Sequence, residues 1–287
     1  MTENRIETAL EETPILDDHL HLDPERGQGI EAVEAFADAG GTHLLIVNQP
    51  SWKHGIEVSD PEEFRPVFER TIQTVETASA ELPGRAWPVL GVHPGLISRV
   101  LERGLTPEDA AGLMQAGLDI AAEYTARGDA LALKSGRPHY EVDDAVWEAS
   151  NGVLRHALEC GADSGVPVQL HTESTDDLSE VAAWAADAGL PRERVVKHYA
   201  GGSLEGGTPS VIAHKEALER AVDTGERFLM ETDFLDDSDR PGAVLGPQTV
   251  PRRVRWLLET GYSDAVQRAH VETPKRVYGV DTHDTLG

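Results

Sequence analysis

The sequence predicts a closed barrel of eight parallel strands ringed by helices, a (β/α)8 TIM barrel. Three observations lead there. Eight short apolar runs alternate with longer amphipathic stretches along 287 residues. The runs are apolar at successive positions and bounded by Gly, Pro and charge, as strands buried on both faces are. No low-complexity linker or break in composition divides the chain. One domain over residues 1–287 therefore accounts for it, close to the roughly 250 residues usual for this barrel.

The expected strands are 15–21, 43–48, 86–92, 130–134, 167–171, 194–198, 210–213 and 228–233. Between them the spacing predicts helices over 29–39, 62–80, 107–127, 143–164, 176–188 and 214–224, and then 251–260 and 263–270. Pro61 and Pro107 stand where helices begin, and Gly165 and Gly189 where they end. The seventh run, SVIA, is the shortest and lies one short helix before the eighth. An open doubly wound sheet is the rival. It ordinarily carries a Gly-rich phosphate turn after its first strand, and here HLHLDPERG stands in that place. Eight strand–helix units in succession favour closure.

Charge narrows the partners. Asp and Glu number 51 against 25 Lys and Arg, a formal net charge of -26, and only five of the bases are lysines. Carboxylates crowd the expected helix faces, as in ETALEE and PEEFRP. Such a surface keeps a protein dispersed and is what a halophilic cytoplasm of high salt requires. Nucleic-acid binding normally uses a basic stripe, and no Lys/Arg-rich run exists. A nucleic-acid partner is therefore not favoured. In molar salt the screening length falls to roughly 3 Å, so a local phosphate site stays open. Cys160 is alone, which removes intrachain disulfides and Cys-based zinc clusters. Neither an apolar signal core nor a run near the roughly 20 apolar residues of a membrane span occurs. A cytoplasmic location without a membrane partner is expected, and a homo-oligomer is compatible with the sequence.

Six residues end these runs: His19 and His21 in ILDDHLHLD, Lys134 in LALKSG, His171 in VPVQLHTE, His198 in VVKHYAGG and Asp233 in FLMETDF. Strand ends of one sense converge on one mouth of a barrel. His19 and His21 are two apart, so they face the same way and can grip one cation. By the same alternation Asp18 faces opposite and is expected to be structural or to support a ligand. Imidazoles and a carboxylate suit Zn, Mn, Fe or Co. Lys134 is the unusual member, because a charged amine closing a buried strand is costly unless paired or neutralised. It could pair with Asp233 or a substrate phosphate, form a Schiff base, or react with carbon dioxide to a carbamate. An ammonium beside the histidines would repel cations. A carbamate would place negative charge between them and fits best.

The order His-x-His, strand-four residue, His, His, Asp resembles the metal-dependent amidohydrolase superfamily. The segments GVHPG, PVQLHTES, KHYAGG and METDF, with DRPGAVLGPQTVPRR and HVETPKRVYGV, look like the TatD-related hydrolases, especially archaeal members. The resemblance covers nearly the whole chain and implies a barrel of the metallo-dependent hydrolase type. TatD nucleases end strand four in a metal-bridging Glu; here Lys134 stands there, which resembles the carbamylated lysine of phosphotriesterases and related lactonases. The resemblance implies two divalent cations, with Zn ahead of Mn, Fe, Co or Mg. His19 and His21 with Lys134 and Asp233 would hold the more buried one, and His171 and His198 with the Lys134 carbamate the other. It further implies a metal-bound water that passes a proton to Asp233, and the resulting hydroxide, oriented by Asp233, attacking a phosphoester or a lactone- or amide-type carbonyl of a small-molecule substrate. The alternatives are a TatD-like deoxyribonuclease acting on DNA ends and a barrel that binds metal without catalysis.

Other residues surround these. His93 in GVHPG ends strand three and matches a substrate-contacting TatD position. Arg137 offers a bidentate fork for an anionic substrate, the alternative being a pair with one of the many acids, and His139 is a candidate general acid. Lys197 and Tyr199 flank His198, and alternation turns both away from the metal, toward helices or the rim. Trp52, Lys53 and His54 could form a substrate wall, and the acidic DFLDDSDRPG a lid. His43 begins strand two, at the wrong end for chemistry. His156, His270 and His283 are read as structural or exposed, and His214 as ambiguous.

Overall fold

The computed structural model describes residues 3–237, 239–240 and 245–286. All eight expected strands form: β1 (Leu16–His21), β2 (His43–Val47), β3 (Ala86–Gly91), β4 (Ala132–Gly136), β5 (Val168–His171), β6 (Val195–Ala200), β7 (Thr208–Ile212) and β8 (Leu229–Glu231). A two-residue ninth strand, β9 (Phe234–Leu235), follows. All pairings are parallel, in the order β8-β7-β6-β5-β4-β3-β2-β1-β9. The eighth expected strand is thus split. Its first part pairs with β7 and its second with β1, and the pair closes the barrel.

Helices wrap the outside. They are α1 (Glu3–Glu12), α2 (Ile30–Asp38), α3 (Arg65–Ala80), α4 (Leu96–Glu102), α5 (Pro107–Arg127), α6 (Asp144–Ser164), α7 (Ser179–Ala188), α8 (Lys215–Thr224), α9 (Thr249–Glu259), α10 (Ser263–Gln267) and α11 (Thr273–Tyr278). The caps are local chemistry. The Thr106 and Asp143 side chains accept the Asp109 and Val146 amides at the starts of α5 and α6. Gly165 and Gly189 end α6 and α7 in the left-handed conformation, which costs glycine little. The sequence reading took ETALEE, in α1, for a helix face without giving it bounds, and had no helix at α4 or α11. The helix expected over 263–270 passes after Gln267 into a π-helical turn, Arg268–Glu272.

The barrel floor is apolar: Leu16, Leu45, Val47, Val89, Ala132, Val196 and Leu229 pack inside it. Outward strand residues such as Leu90, Leu133, Val168 and Leu170 join the core beneath α3 to α7. Above the floor the interior turns polar, and the site begins there. A Cβ at Gly91 would overlap the Lys134 carbonyl, and one at Gly136 the His171 carbonyl. Neither close approach tolerates a side chain.

One alternation argument is corrected. The register of β1 against β2 shifts between Asp17 and Leu20. An irregular residue in a strand re-aims side chains, so Asp18 joins the interior with His19. The acidic DFLDDSDRPG is only partly described, since residues 238, 241 and 242 lie outside the described set. In the part seen, Asp236 accepts the amides of Asp23, Gln28 and Gly29, and Asp237 pairs with Lys53 at 2.6 Å. Residues 241–244 of DRPGAVLGPQTVPRR are likewise outside it.

Candidate metal centre

The strand ends bring all six expected residues to one mouth. His19, His21, Lys134 and His198 are buried, and the Asp233 side chain is about one-fifth exposed. Asp233 Oδ1 lies 4.0 Å from His19 Nε2 and 3.9 Å from His21 Nε2. Lys134 Nζ is 2.9 Å from His19 Nε2. The His19 and His198 rings stack with centroids 3.9 Å apart, and His171 Nδ1 is 3.1 Å from His198 Nε2.

What aims these rings is as informative as the rings. His19 Nδ1–H donates to Gln169 Oε1 at 2.7 Å, His21 Nδ1–H to the Val47 carbonyl at 2.9 Å, and His198 Nδ1–H to Glu231 Oε1 at 2.8 Å. Each bond fixes the proton on Nδ1 and leaves the Nε2 lone pair facing the centre, as metal-binding histidines are commonly held. The supports are themselves joined. Gln169 Nε2 donates to the Asp18 carbonyl and the Tyr278 hydroxyl, and Tyr278 donates to Asp18 Oδ2. Ser210 Oγ lies between Asp18 Oδ1, at 2.6 Å, and Glu231 Oε2. A serine hydroxyl has one proton, so it satisfies both carboxyls only if one of them is protonated. Burial pushes both upward, Asp18 to about 7 and Glu231 well above the carboxylate range. One polar network therefore orients His19 and His198 together.

Burial also sets the charges of the candidate ligands. It drives His19 and His198 well below their ordinary range and His21 down to about 3, with Lys134 adding to the effect. Neutral imidazole is the form that binds metal. Burial lowers Lys134 to about 8. It raises Asp233 to about 6, against the pull of Lys134. The donor set of neutral nitrogens and one carboxylate fits borderline divalent cations, and His19, His21 and Asp233 present three such atoms within 4.8 Å of one another.

The mouth opens into a cavity of about 290 Å³ lined by His139, His171, Thr172, Ser174, Lys197, His198, Tyr199 and Asp233. His139 is brought to the site, with Nδ1 2.8 Å from His171 Nε2. The His93 ring stands 5.0 Å from that of His171 and edge-on to Trp52. Of the two places expected for Lys197 and Tyr199, helices or rim, both stand at the rim, on the cavity wall, and Tyr199 has a left-handed backbone with φ 57°.

The match to the family described as TatD related DNase spans residues 16–279, from the first strand to the last helix. The chain belongs to the TatD related DNase family. It is 33% identical over 285 residues to the uncharacterized protein MJ1127 of Methanocaldococcus jannaschii, covering 95% of this chain and 98% of that one. Among solved structures it is similar to the TatD homolog YJJV of Escherichia coli at 19% identity, TM-score 0.59, covering 93% and 98% of the two chains. It is also similar to the lactonase Lmo2620 of Listeria monocytogenes at 15% identity, TM-score 0.59, covering 94% and 95%. A mutant organophosphorus hydrolase of Deinococcus radiodurans matches at 15% identity, TM-score 0.56, covering 94% of each. At these identities the solved structures speak for the barrel fold.

Within this TatD-family barrel, Arg137 departs from the expectation of an anion fork. Its guanidinium donates to Glu173 and Asn151, reaches Glu180 and lies 4.5 Å over the Trp147 ring. The fork is engaged by neighbouring acids, and Arg137 is not on the cavity wall. The wall expected of residues 52–54 is also divided. Trp52 packs on the core, Lys53 pairs with Asp237, and His54 bonds Arg70. His43 lies at the start of its strand beside Thr285, and His270 is fully buried. His214 and His283 are exposed.

Sequence reasoning missed Glu231, Gln169, Ser210 and Tyr278. Two had a signal. Glu231 is two residues before Asp233 and Gln169 two before His171, so each shares a face with a strand-end residue one step deeper. Ser210 and Tyr278 had none, because only the closed barrel brings them to Asp18.

Proposed function

We propose that the protein is a hydrolase dependent on two divalent cations, zinc foremost and Mn, Fe, Co or Mg otherwise, that cleaves a small-molecule ester, lactone or phosphoester. The observation that carries this reading is the Asp233 carboxylate about 4 Å from the Nε2 atoms of His19 and His21, whose other nitrogens are tied back by Gln169 and Val47. His19, His21 and Asp233 would hold one cation, His171 and His198 the second, and Lys134 would lie between. The cations would polarise the attacked oxygen and acidify a water.

The chain's own groups divide the remaining work. Asp233, raised to about 6 by burial, accepts a proton from the attacking water at its carboxylate and can release it near neutral pH. His139, beside His171 on the cavity wall, donates to the leaving oxygen. His93 and Tyr199 border the substrate. Lys134 bears on the bridge. With its amine lowered to about 8, a usable fraction is neutral and can add to carbon dioxide, losing a proton to give a carbamate. Left as an amine, Nζ competes for the His19 Nε2 lone pair that a cation needs. Lactonase and organophosphorus hydrolase neighbours support this substrate class.

Metal analysis of protein purified without chelator, followed by an ester, lactone and phosphoester panel, tests the proposal. At least one transition ion per chain is expected, with hydrolysis lost on chelation and restored by metal. Less than one ion with no hydrolysis on metal addition overturns it. A metal-bound structure with both cations and a bare Lys134 amine refutes the carbamate alone. The second reading, a nuclease acting on DNA ends, is favoured by the family's description and by Lys197 at the mouth. Release of nucleotides from single-stranded DNA in high salt would establish it.

A further inference from the structure

The outer helical layer carries a second group of ligand-type side chains, remote in role from the barrel mouth. Asp119 projects from α5, and His156 and Cys160 from α6. His156 and Cys160 are four apart, so they stand one turn above the other on a single helix face. Asp119 Oδ1 accepts from His156 Nε2 at 2.7 Å and from Cys160 Sγ at 3.7 Å. The sulfur, the imidazole nitrogen and the carboxylate oxygen all lie within 4.8 Å of one another. We propose that Asp119, His156 and Cys160 form a second cation site that takes a zinc-like transition ion and clips α5 to α6.

Several features suit that role. The site is closed below and open above, since Cys160 is buried while the side chains of His156 and Asp119 are 27% and 60% exposed. A cation can enter from solvent and keep a water as fourth ligand. Glu159 Oε2 lies 3.8 Å from His156 Nδ1 and favours the tautomer that frees Nε2. Zinc–sulfur and zinc–nitrogen bonds of about 2.3 and 2.0–2.1 Å place tetrahedral ligands roughly 3.3–3.7 Å apart. The present Asp119–Cys160 spacing already meets that, and the Asp119–His156 spacing needs only a side-chain rotation. Thiolate and imidazole select zinc, cobalt or copper over magnesium and calcium. On binding, the metal–sulfur bond forms as the thiol proton leaves to solvent, and the His156 proton moves from Nε2 to Nδ1. Both ligating helices are 21 residues long and packed together, so the two halves of the site are held by the fold before metal arrives.

The chain's single cysteine makes the test specific. Cobalt(II) added anaerobically to the full chain already loaded with zinc at the mouth and dialysed of excess should produce a near-ultraviolet sulfur-to-cobalt charge-transfer band that saturates at one bound cobalt per chain. The mouth residues contain no sulfur and cannot produce it. Cys160→Ser should abolish the band while keeping the circular dichroism spectrum and the hydrolase activity. His156→Ala should weaken the cobalt affinity read from the band at least tenfold. Asp233→Asn should retain the band, which separates this site from the one at the mouth, and zinc should bleach it by competition. No band at excess cobalt, or an equal band in Cys160→Ser, overturns the proposal. Either result leaves the mouth reading untouched.

Discussion

Truncating Glu231 to alanine tests whether the polar network beneath the mouth aims the histidines proposed to bind metal. Glu231 is fully buried; its Oε1 accepts His198 Nδ1–H at 2.8 Å and the Tyr199 amide at 2.9 Å, and its Oε2 shares a proton with Ser210 Oγ. Removing the acceptor frees His198 to rotate or to move its proton to Nε2. Loss of such a support typically costs 10–100-fold in metal affinity, which is about 1.4–2.8 kcal/mol. Ser210 keeps Asp18 as a partner, but the His198 and Tyr199 donors are stranded at about 1–3 kcal/mol each. Relief of a buried carboxyl offsets part of this, so a net destabilisation of ~2 kcal/mol is expected. Glu231→Gln is the control. Its amide oxygen still accepts from His198 and Tyr199, and its NH2 can face Ser210, which then donates to Asp18.

The assay is competition with a chromophoric chelator, alongside a melting curve for each variant. Glu231→Ala should raise the Kd of the His198-bound cation 10–100-fold, and Glu231→Gln less than about tenfold. If Glu231→Ala binds both cations within about threefold of the parent while folded, the orienting role is wrong. If Glu231→Gln is the worse of the two, charge rather than aim is what Glu231 supplies.

Three further outcomes follow from other parts of the molecule. Arg137→Ala should destabilise by ~2–4 kcal/mol in urea, because it strands buried Asn151 and the half-buried Glu173. Its metal content should be unchanged, and a loss under about 1 kcal/mol would restore Arg137 to the anion-binding role. His270 accepts the Leu16 amide at Nδ1, 3.1 Å away, so the folded protein holds it neutral, and burial lowers it to about 3. The unfolded chain takes up that proton first as the medium acidifies. The contribution is therefore present above pH ~6.5 and is lost as pH falls from there toward ~3, on the order of 4–5 kcal/mol in full. His270→Gln should flatten this acid limb in denaturation at pH 7.5 and 4.5, and an unchanged slope refutes the assignment. The net charge of -26 predicts a Tm that climbs as KCl rises toward molar concentration, where like charges are screened. A flat or falling Tm would remove the halophilic reading.

The barrel was legible because its strands are buried on both faces. A run such as ALALK must be apolar throughout until it reaches the mouth, so its polar end announces itself. The six metal-site candidates were readable for the same reason. Side chains whose aim depends on a backbone irregularity were not. Asp18 was assigned outward by strict alternation, and the shift between Asp17 and Leu20 turned it in. Alternation left Tyr199 between the helices and the rim, and the folded chain, left-handed at that residue, has it at the rim. Arg137 took the second of its two readings. Its chemistry suits an anion, but a chain with twice as many acids as bases offered Glu173 and Glu180 first.

The sharpest irregularity is at Asp233 itself. It stands at φ 47°, a left-handed conformation that ordinarily costs a residue with a side chain on the order of 1–3 kcal/mol. The neighbouring seam holds it there. The Asp233 amide donates to the His19 carbonyl at 3.0 Å, and Asp17 accepts both the amide and the hydroxyl of Thr232. The barrel therefore closes between β8 and β1 partly through a carboxylate rather than a continuous ladder. With the chain turned at that point, the Asp233 side chain lies inside the barrel, as Glu231 does, and faces the two histidines of β1. The adjacent Asp17 and Asp18 of ILDDHLHLD thus divide their work, one closing the seam that turns Asp233 inward and the other anchoring the network that aims His19 and His198.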